Sequence, residues 1–295
     1  MNYTTVKPFI KWAGGKSQLL NEIRAKYPET IDKYCEPFVG GGAVLFDVLA
    51  NCHPKEVLIN DINAELVNAY LQINNNVDEL IAMLSEMQEV FCAKNDADRE
   101  AMYLSKRLRF NDIKLNGNEQ ISLEKAALFI FLNKTCFNGL YRVNGKGLFN
   151  VPMGSYKNPH ICDAENLRLI SGLLKNVQIR CGDYSECADF IDERTFVYID
   201  PPYRPLTSTA SFTSYAQYGF GDKQQIELCK FVDEISAKGA RVVASNSDPK
   251  NSDESDNFFD DLYSGYTIMR VSAKRMINSK ASGRGSIYEL LICNC

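Results

Sequence analysis

The sequence predicts an α/β protein built on a doubly wound sheet, and three observations carry that prediction. Short β-branched and aromatic runs end abruptly in turn chemistry. A helix-like segment leads into a further run of the same kind. Two late runs read as a closing antiparallel pair.

The first run, "YCEPFVGGG" at 34–42, ends in three glycines. The second, "EVLIND", ends on Asp61, and the third, "FVYIDPPY" at 196–203, ends on an aspartate, two prolines and a tyrosine. The fourth, "ARVVASNS" at 240–247, follows the helical pattern "KQQIELCKFVDEISAKG", whose Gly239 reads as a C-cap. "YTIMRVSA" at 266–273 and "SIYELLICN" at 286–294 supply antiparallel edge strands. Between the second and third runs the pattern changes. Helical segments at 64–88, 96–110 and 123–136 lead into the glycine- and asparagine-rich "FNGLYRVNGKGLFNVPMGSYKNP". The expected organisation is therefore a sheet domain formed by 1–63 and 169–295, with a helical block, 64–168, inserted into it. The Ser/Thr/Tyr-rich "PLTSTASFTSYAQYGFG" at 205–221 is long enough to be an active-site loop.

Composition sets the outer bounds. The chain has 295 residues, 45% hydrophobic and 24% charged, which suits one large domain or a domain with an insertion. No apolar run approaches the ~18 residues of a membrane span, and the start lacks a secretory pattern, so the expected location is the cytoplasm. The ten cysteines are scattered without a C-x-x-C pair and read as reduced thiols. Only His53 and His160 are available, each beside a proline, so no metal is expected and a Ser/His or Cys/His machine is disfavoured. The net charge of −4 alone argues against a nucleic-acid partner. Its distribution argues otherwise, because 134–159 and 265–288 carry basic residues and no acid, while acids crowd 248–261. Such segregation allows a basic binding face on an acidic protein.

In a doubly wound sheet, ligands bind beyond the carboxyl ends of the strands. Gly40, Gly41 and Gly42 permit close backbone approach, and about twenty residues on, Asp61 can accept from ribose hydroxyls. Leu45 occupies the third glycine position of a dinucleotide fingerprint, so an adenosine ligand such as S-adenosylmethionine suits the turn better than NAD. "WAGGKS" at 12–17 contains Gly-Lys-Ser, but a phosphate loop needs glycine at position 10, where Ile10 stands. By pattern alone, Trp12 and Lys16 equally suit a structural turn.

The Asp200-Pro201-Pro202-Tyr203 stretch fits an exocyclic amine on a nucleobase. Such an amine is a poor nucleophile, because its lone pair is delocalised into the ring. The Asp200 carboxylate and the Pro201 carbonyl, the latter fixed by restricted proline angles, can both accept from the amine and aim its lone pair. Tyr203 can stack on the base, and catalysis would then rest on positioning and charge. A base in duplex must leave the stack to enter such a site. A strand ending in a proline turn with a capping aspartate is the plainer alternative.

In order, "FIKWAGGK", "EPFVGGG", "INDIN", "NGLYRVN" with "FNVP", and "YIDPPY" closely resemble the Dam-type DNA adenine-N6 methyltransferases, over nearly the whole chain. The resemblance implies a Rossmann-like S-adenosylmethionine-dependent sheet with an inserted helical target-recognition domain. It implies that Trp12, Lys16, Phe38 and Gly40 line the S-adenosylmethionine pocket, that Asp61 holds its ribose, and that Asp183 contacts its adenine ring. Asp200, Pro201, Pro202 and Tyr203 would hold a flipped target adenine. Phe137 and Asn138 would probe the helix, Leu140, Arg142 and Pro152 would read base edges, and Lys11 would contact a guanine. Double-stranded DNA containing GATC is the implied substrate. A monomer paired with a cognate restriction endonuclease, in a bacterial or phage setting, is the implied context. Two departures are Tyr184, where many relatives have phenylalanine, and Phe137, where some have tyrosine.

Three alternatives stay open at the level of sequence. N4-cytosine methylation uses the same pocket logic, with aspartate favouring adenine by family habit. A non-catalytic DNA-binding protein would keep the fold without turnover. Structured RNA would be a different substrate.

Overall fold

The computed structural model describes residues 6–116, 121–204, 220–274 and 286–294. Strands β1 (Lys33–Glu36), β2 (Glu56–Asp61), β3 (Val177–Cys181), β4 (Thr195–Ile199), β5 (Arg241–Ser247), β6 (Thr267–Lys274) and β7 (Ser286–Cys293) form one sheet. Their spatial order is β3-β2-β1-β4-β5-β7-β6. β1 runs parallel to β2 and β4, and β4 runs parallel to β5. β7 is antiparallel to both β5 and β6.

This is the expected α/β sheet, with one difference. The closing antiparallel pair forms one edge of it as expected, β7 lying against β5 and β6 outermost. β3 has no counterpart among the predicted runs: its five residues are exposed or half-buried, so it carries no apolar run. Every residue of β1 and β4, by contrast, is buried, as central parallel strands require. The chain leaves β1 toward β2 and leaves β4 toward β5, on opposite sides. The carboxyl ends of β1 and β4 therefore flank the switch point of the sheet.

The helices in chain order are α1 (Leu20–Arg24), α2 (Ala43–Asn51), α3 (Ala64–Asn75), α4 (Val77–Ala93), α5 (Asp96–Asn116), α6 (Leu123–Thr135), α7 (Ala164–Leu174), α8 (Asp222–Ala237) and α9 (Phe258–Leu262). The single helix expected over 64–88 is two. Asn76 leaves the helical region at φ −138° and ψ 40°, its N–H closing α3 on the Gln72 carbonyl. Asp78 and Glu79 then sit in the first turn of α4, where acids favour the N-terminal dipole. α8 ends as predicted, with Gly239 following it at φ +91°.

The chain divides into two compact units. The first comprises Met1–Gly15, Gly40–Asn51 and Asn60–Asp183, and the second Lys16–Val39, Cys52–Ile59 and Tyr184–Cys295. Residues 64–168 all fall in the first unit, where α6 is buried on nearly every side. In the second unit Cys35, Leu58, Val197 and Ile199 of the sheet pack with Leu228, Val232 and Ile235 of α8 and with Phe259 of α9. All nine described cysteines are free. Among the described residues no helix is long and apolar enough to cross a membrane.

Candidate active site

In the second unit, β4 stops where Pro201 and Pro202 withdraw the N–H groups a further ladder would need. Asp200 thus stands at the carboxyl end of β4, beside the switch point. Its Oδ2 lies 2.8 Å from Lys16 Nζ, and its Oδ1 accepts from Ser245 Oγ at 3.0 Å. Ser245 in turn accepts from the Tyr198 hydroxyl at 3.1 Å. The carboxylate is therefore held from both sides. Burial pushes the Asp200 carboxyl above the usual aspartate range, while Lys16 and the Ser245 hydroxyl pull it back.

Tyr203 donates its hydroxyl to Glu289 Oε2 at 2.6 Å, and Lys16 Nζ lies 4.8 Å from the centre of its ring. Burial and the two nearby carboxylates push the Tyr203 hydroxyl well above its ordinary value, so it stays a donor. Pro202 is anchored through its carbonyl, which accepts from Gln225 Nε2 of α8 at 3.1 Å. Arg204 ties the end of the motif to Asp222 and Asp256 at 2.6 Å each. Lys16, implied for the cofactor pocket, is 3% exposed and lies against Asp200, Tyr203 and Glu289. Glu289 and Ser245 were missed by sequence reasoning. Ser247 faces Glu289 across the β5–β7 ladder, and its buried Oγ has no hydrogen-bond partner among the described residues.

Also in the second unit, Phe38 follows the end of β1 and stacks on Tyr184, with centroids 5.2 Å apart. Phe220 meets both rings edge-on.

In the first unit, the glycine turn meets Asp61. Asp61 Oδ2 accepts from the Gly40 N–H at 3.0 Å, and Oδ1 from the Asn63 N–H at 2.9 Å. Burial nonetheless holds this carboxyl above its ordinary range. A carboxylate has about four acceptor sites, so the amides of Gly40, Ile62 and Asn63 still leave capacity for a hydroxyl donor. Gly40 and Gly42 adopt φ +49° and +76°, and their pro-Cβ positions point at protein. A Cβ at Gly40 would come within 2.9 Å of Trp12 Cδ1, and one at Gly42 within 2.5 Å of the Tyr70 hydroxyl. Trp12 stacks on Tyr141, centroids 5.9 Å apart. Asp183 is exposed just beyond β3.

The expected DNA-reading residues also gather in the first unit. Isolated bridges pair Cys136 with Met153 and Val143 with Phe149, folding the loop into an irregular hairpin. The Phe137 N–H donates to the Pro152 carbonyl at 2.9 Å, and the Leu140 N–H to the Phe137 carbonyl at 3.2 Å. Phe137 is 51% exposed, and Asn138 adopts φ +55°, uncommon for a residue with a side chain. The Arg142 guanidinium is exposed and held by Asn150 Oδ1 at 2.8 Å. Lys11 packs over Gly139, where a Cβ would fall 2.5 Å from the Lys11 Cβ, and its Nζ donates to the Tyr156 hydroxyl at 3.2 Å. The buried Asn133, unrecognised in the sequence, bonds Lys11 N–H, Lys11 O and Gly139 O.

One charge expectation fails. Arg270 is not part of an open basic face, because Asp248 and Asp260 pair with it at 2.8 and 2.7 Å. The acid-rich stretch folds onto the base that the sequence sets apart from it. Arg275, Lys280, Arg284 and most of the expected active-site loop, 205–219, lie outside the described residues.

A seven-stranded, mostly parallel sheet with an acid-ended strand at its switch point is consistent with a Rossmann-like methyltransferase fold. Residues 12–277 match the family described as "D12 class N6 adenine-specific DNA methyltransferase", and the chain belongs to that family. It is 50% identical over 295 residues to the type II methyltransferase M.MjaIII of Methanocaldococcus jannaschii, covering 98% of this chain and 99% of that one. Identity to the type II methyltransferase M1.LlaDCHI of Lactococcus lactis subsp. cremoris is 37%, over 99% and 97% of the two chains. The DNA adenine methylase of Haemophilus influenzae is 34% identical over 97% of this chain and 92% of its own.

Proposed function

We propose that this DNA adenine methyltransferase takes its methyl group from S-adenosylmethionine and places it on N6 of an adenine turned out of duplex DNA, within GATC. The observation that carries the reading is the Asp200 carboxylate, fixed at the end of β4 by Lys16 and Ser245 and followed at once by Tyr203. When bound, S-adenosylmethionine supplies an electrophilic sulfonium methyl. The residues fit that cofactor: Asp61 has acceptor capacity for a ribose hydroxyl, and Phe38 presents an aromatic surface to an adenine. Trp12, Lys16, Gly40 and Asp183 complete the proposed cofactor set.

Asp200 and the Pro201 carbonyl accept from the amine and turn its lone pair out of the ring plane. Lys16 and Ser245 hold the carboxylate so that little reorganisation is needed when the base arrives. Tyr203 stacks on the base, and Ser247 offers a buried hydroxyl with no partner of its own among the described residues. Phe137 and Asn138 enter the helix, Leu140, Arg142 and Pro152 read base edges, and Lys11 meets the first guanine. Arginine is the commonest bidentate reader of guanine, which supports Arg142 in that role. The type II names of two relatives support a cognate restriction endonuclease as partner. The chain is proposed to act as a monomer in the cytoplasm.

The test is transfer of labelled methyl from S-adenosylmethionine to duplexes carrying GATC or GTAC, with nucleoside analysis of the product. Label in adenine of the GATC duplex alone is expected. Label on both duplexes would discard the specificity, and label in cytosine would discard the target.

A further inference from the structure

We infer that Glu289, from β7, is a positioning residue for methyl transfer, keeping the reaction centre net negative while Lys16 orients Asp200. The inference rests on the proposed role of Asp200 and adds a residue 89 positions further along the chain, to which the sequence assigns no role. Lys16 is almost fully buried, and its Nζ serves two carboxylates: Asp200 at 2.8 Å and Glu289 at 3.7 Å. With Asp200 alone, the buried lysine would form a neutral pair. A neutral pair orients the amine but has no net charge to set against the one that develops on it.

That developing charge is positive. As the nitrogen–carbon bond forms, the bond between the methyl and its donor breaks, and its electron pair stays with the donor. Nitrogen becomes cationic until its extra proton passes to water. Fixed charge set against charge that appears only in the transition state is one of the strongest ways an enzyme lowers a barrier. With Glu289 the three groups sum to −1, and Lys16 can stay in place as a clamp. The Tyr203 hydroxyl, donating at 2.6 Å, fixes the second carboxylate.

Two variants separate charge from tethering. E289Q keeps an acceptor for Tyr203 and removes the charge. E289D keeps the charge and withdraws it by one methylene, out of reach of the short Tyr203 bond. On the GATC duplex, E289Q is expected to lose roughly ten- to a hundredfold in kcat, and E289D about threefold or less. KM for DNA and the calorimetric affinity for S-adenosylmethionine should move less than about threefold in both. An E289Q kcat within about threefold of wild type would overturn the inference. So would an E289D variant slower than E289Q, since Glu289 would then act through its tether to Tyr203 rather than through its charge. If E289Q does not fold, the same comparison is made between Glu289→Asp and Glu289→Asn, where only charge differs. Absence of transfer by the wild-type chain would overturn the proposed function and this inference together. Wild-type transfer with an unaffected E289Q would overturn this inference alone.

Discussion

Asn133 brackets Lys11: its side-chain oxygen accepts from the Lys11 N–H at 2.9 Å, and its nitrogen donates to the Lys11 carbonyl at 2.8 Å. The same nitrogen reaches Gly139 O at 2.9 Å, so one buried amide registers the N-terminal segment against the turn that carries Phe137 and Asn138. Asn133→Ala should cost about 1–3 kcal/mol by denaturant melts, because buried backbone groups lose their partners. Asn133→Asp should cost more at neutral pH, since it turns a carboxylate toward two carbonyls. Equal stability of the aspartate variant and wild type would show that the bracket is not structural.

Asp200→Ala should lower kcat by about a thousandfold while the affinity for S-adenosylmethionine changes less than about threefold. The ionised carboxylate is the working form. Burial raises its folded value above the ordinary one, so the acid limb of activity lies higher than for a free aspartate. The linkage runs the opposite way for stability. A raised carboxyl holds its proton more tightly in the folded state, so this group opposes folding above its unfolded value and the opposition fades as pH falls. A kcat profile flat down to pH about 4 would count against Asp200 as the acceptor.

Gly42→Ala places a Cβ 2.5 Å from the Tyr70 hydroxyl at a φ of +76°. Backbone strain and overpacking together should cost about 2–4 kcal/mol. Part of that is the hydroxyl itself, so the double variant with Tyr70→Phe should be less damaged than the sum of the singles. Strict additivity would mean that the backbone angle accounts for the whole effect.

Phe137→Ala should leave stability within about 0.5 kcal/mol, since the ring is half exposed, yet lower methylation of duplex DNA. Arg142→Ala should cost about 1–3 kcal/mol in discrimination at one base pair. Uniform weakening on every duplex would make Arg142 a phosphate contact instead.

The parts of this protein legible in its sequence are those in which neighbours along the chain do the work. A strand that ends on an acid, a glycine turn and a proline pair are all local, and they located β1, β2, β4, Asp61 and Asp200. The break at Asn76 is also written locally, as a non-helical asparagine followed by an acidic first turn, but the apolar periodicity runs across it and hides it. β3 gives no signal, because half-buried positions need no apolar residue. Ser245, Asn133 and Glu289 could not be found this way. Each is an ordinary polar residue whose meaning comes from a partner distant in sequence, and no spacing rule links them. Arg270 misleads for the same reason, since the acids that neutralise it lie elsewhere in the chain.

The sheet order has a consequence for how the enzyme comes into being. β7 follows every other described strand in the sequence, yet it occupies the place between β5 and β6. A ribosome delivers Lys16 early and Asp200 well after it, but β5 keeps an open edge until β7 has been made. Long-range pairings of this kind form late, because loop closure is paid before contacts reward it. Glu289 arrives with β7, so the half-made chain has no finished centre to set loose on the genome.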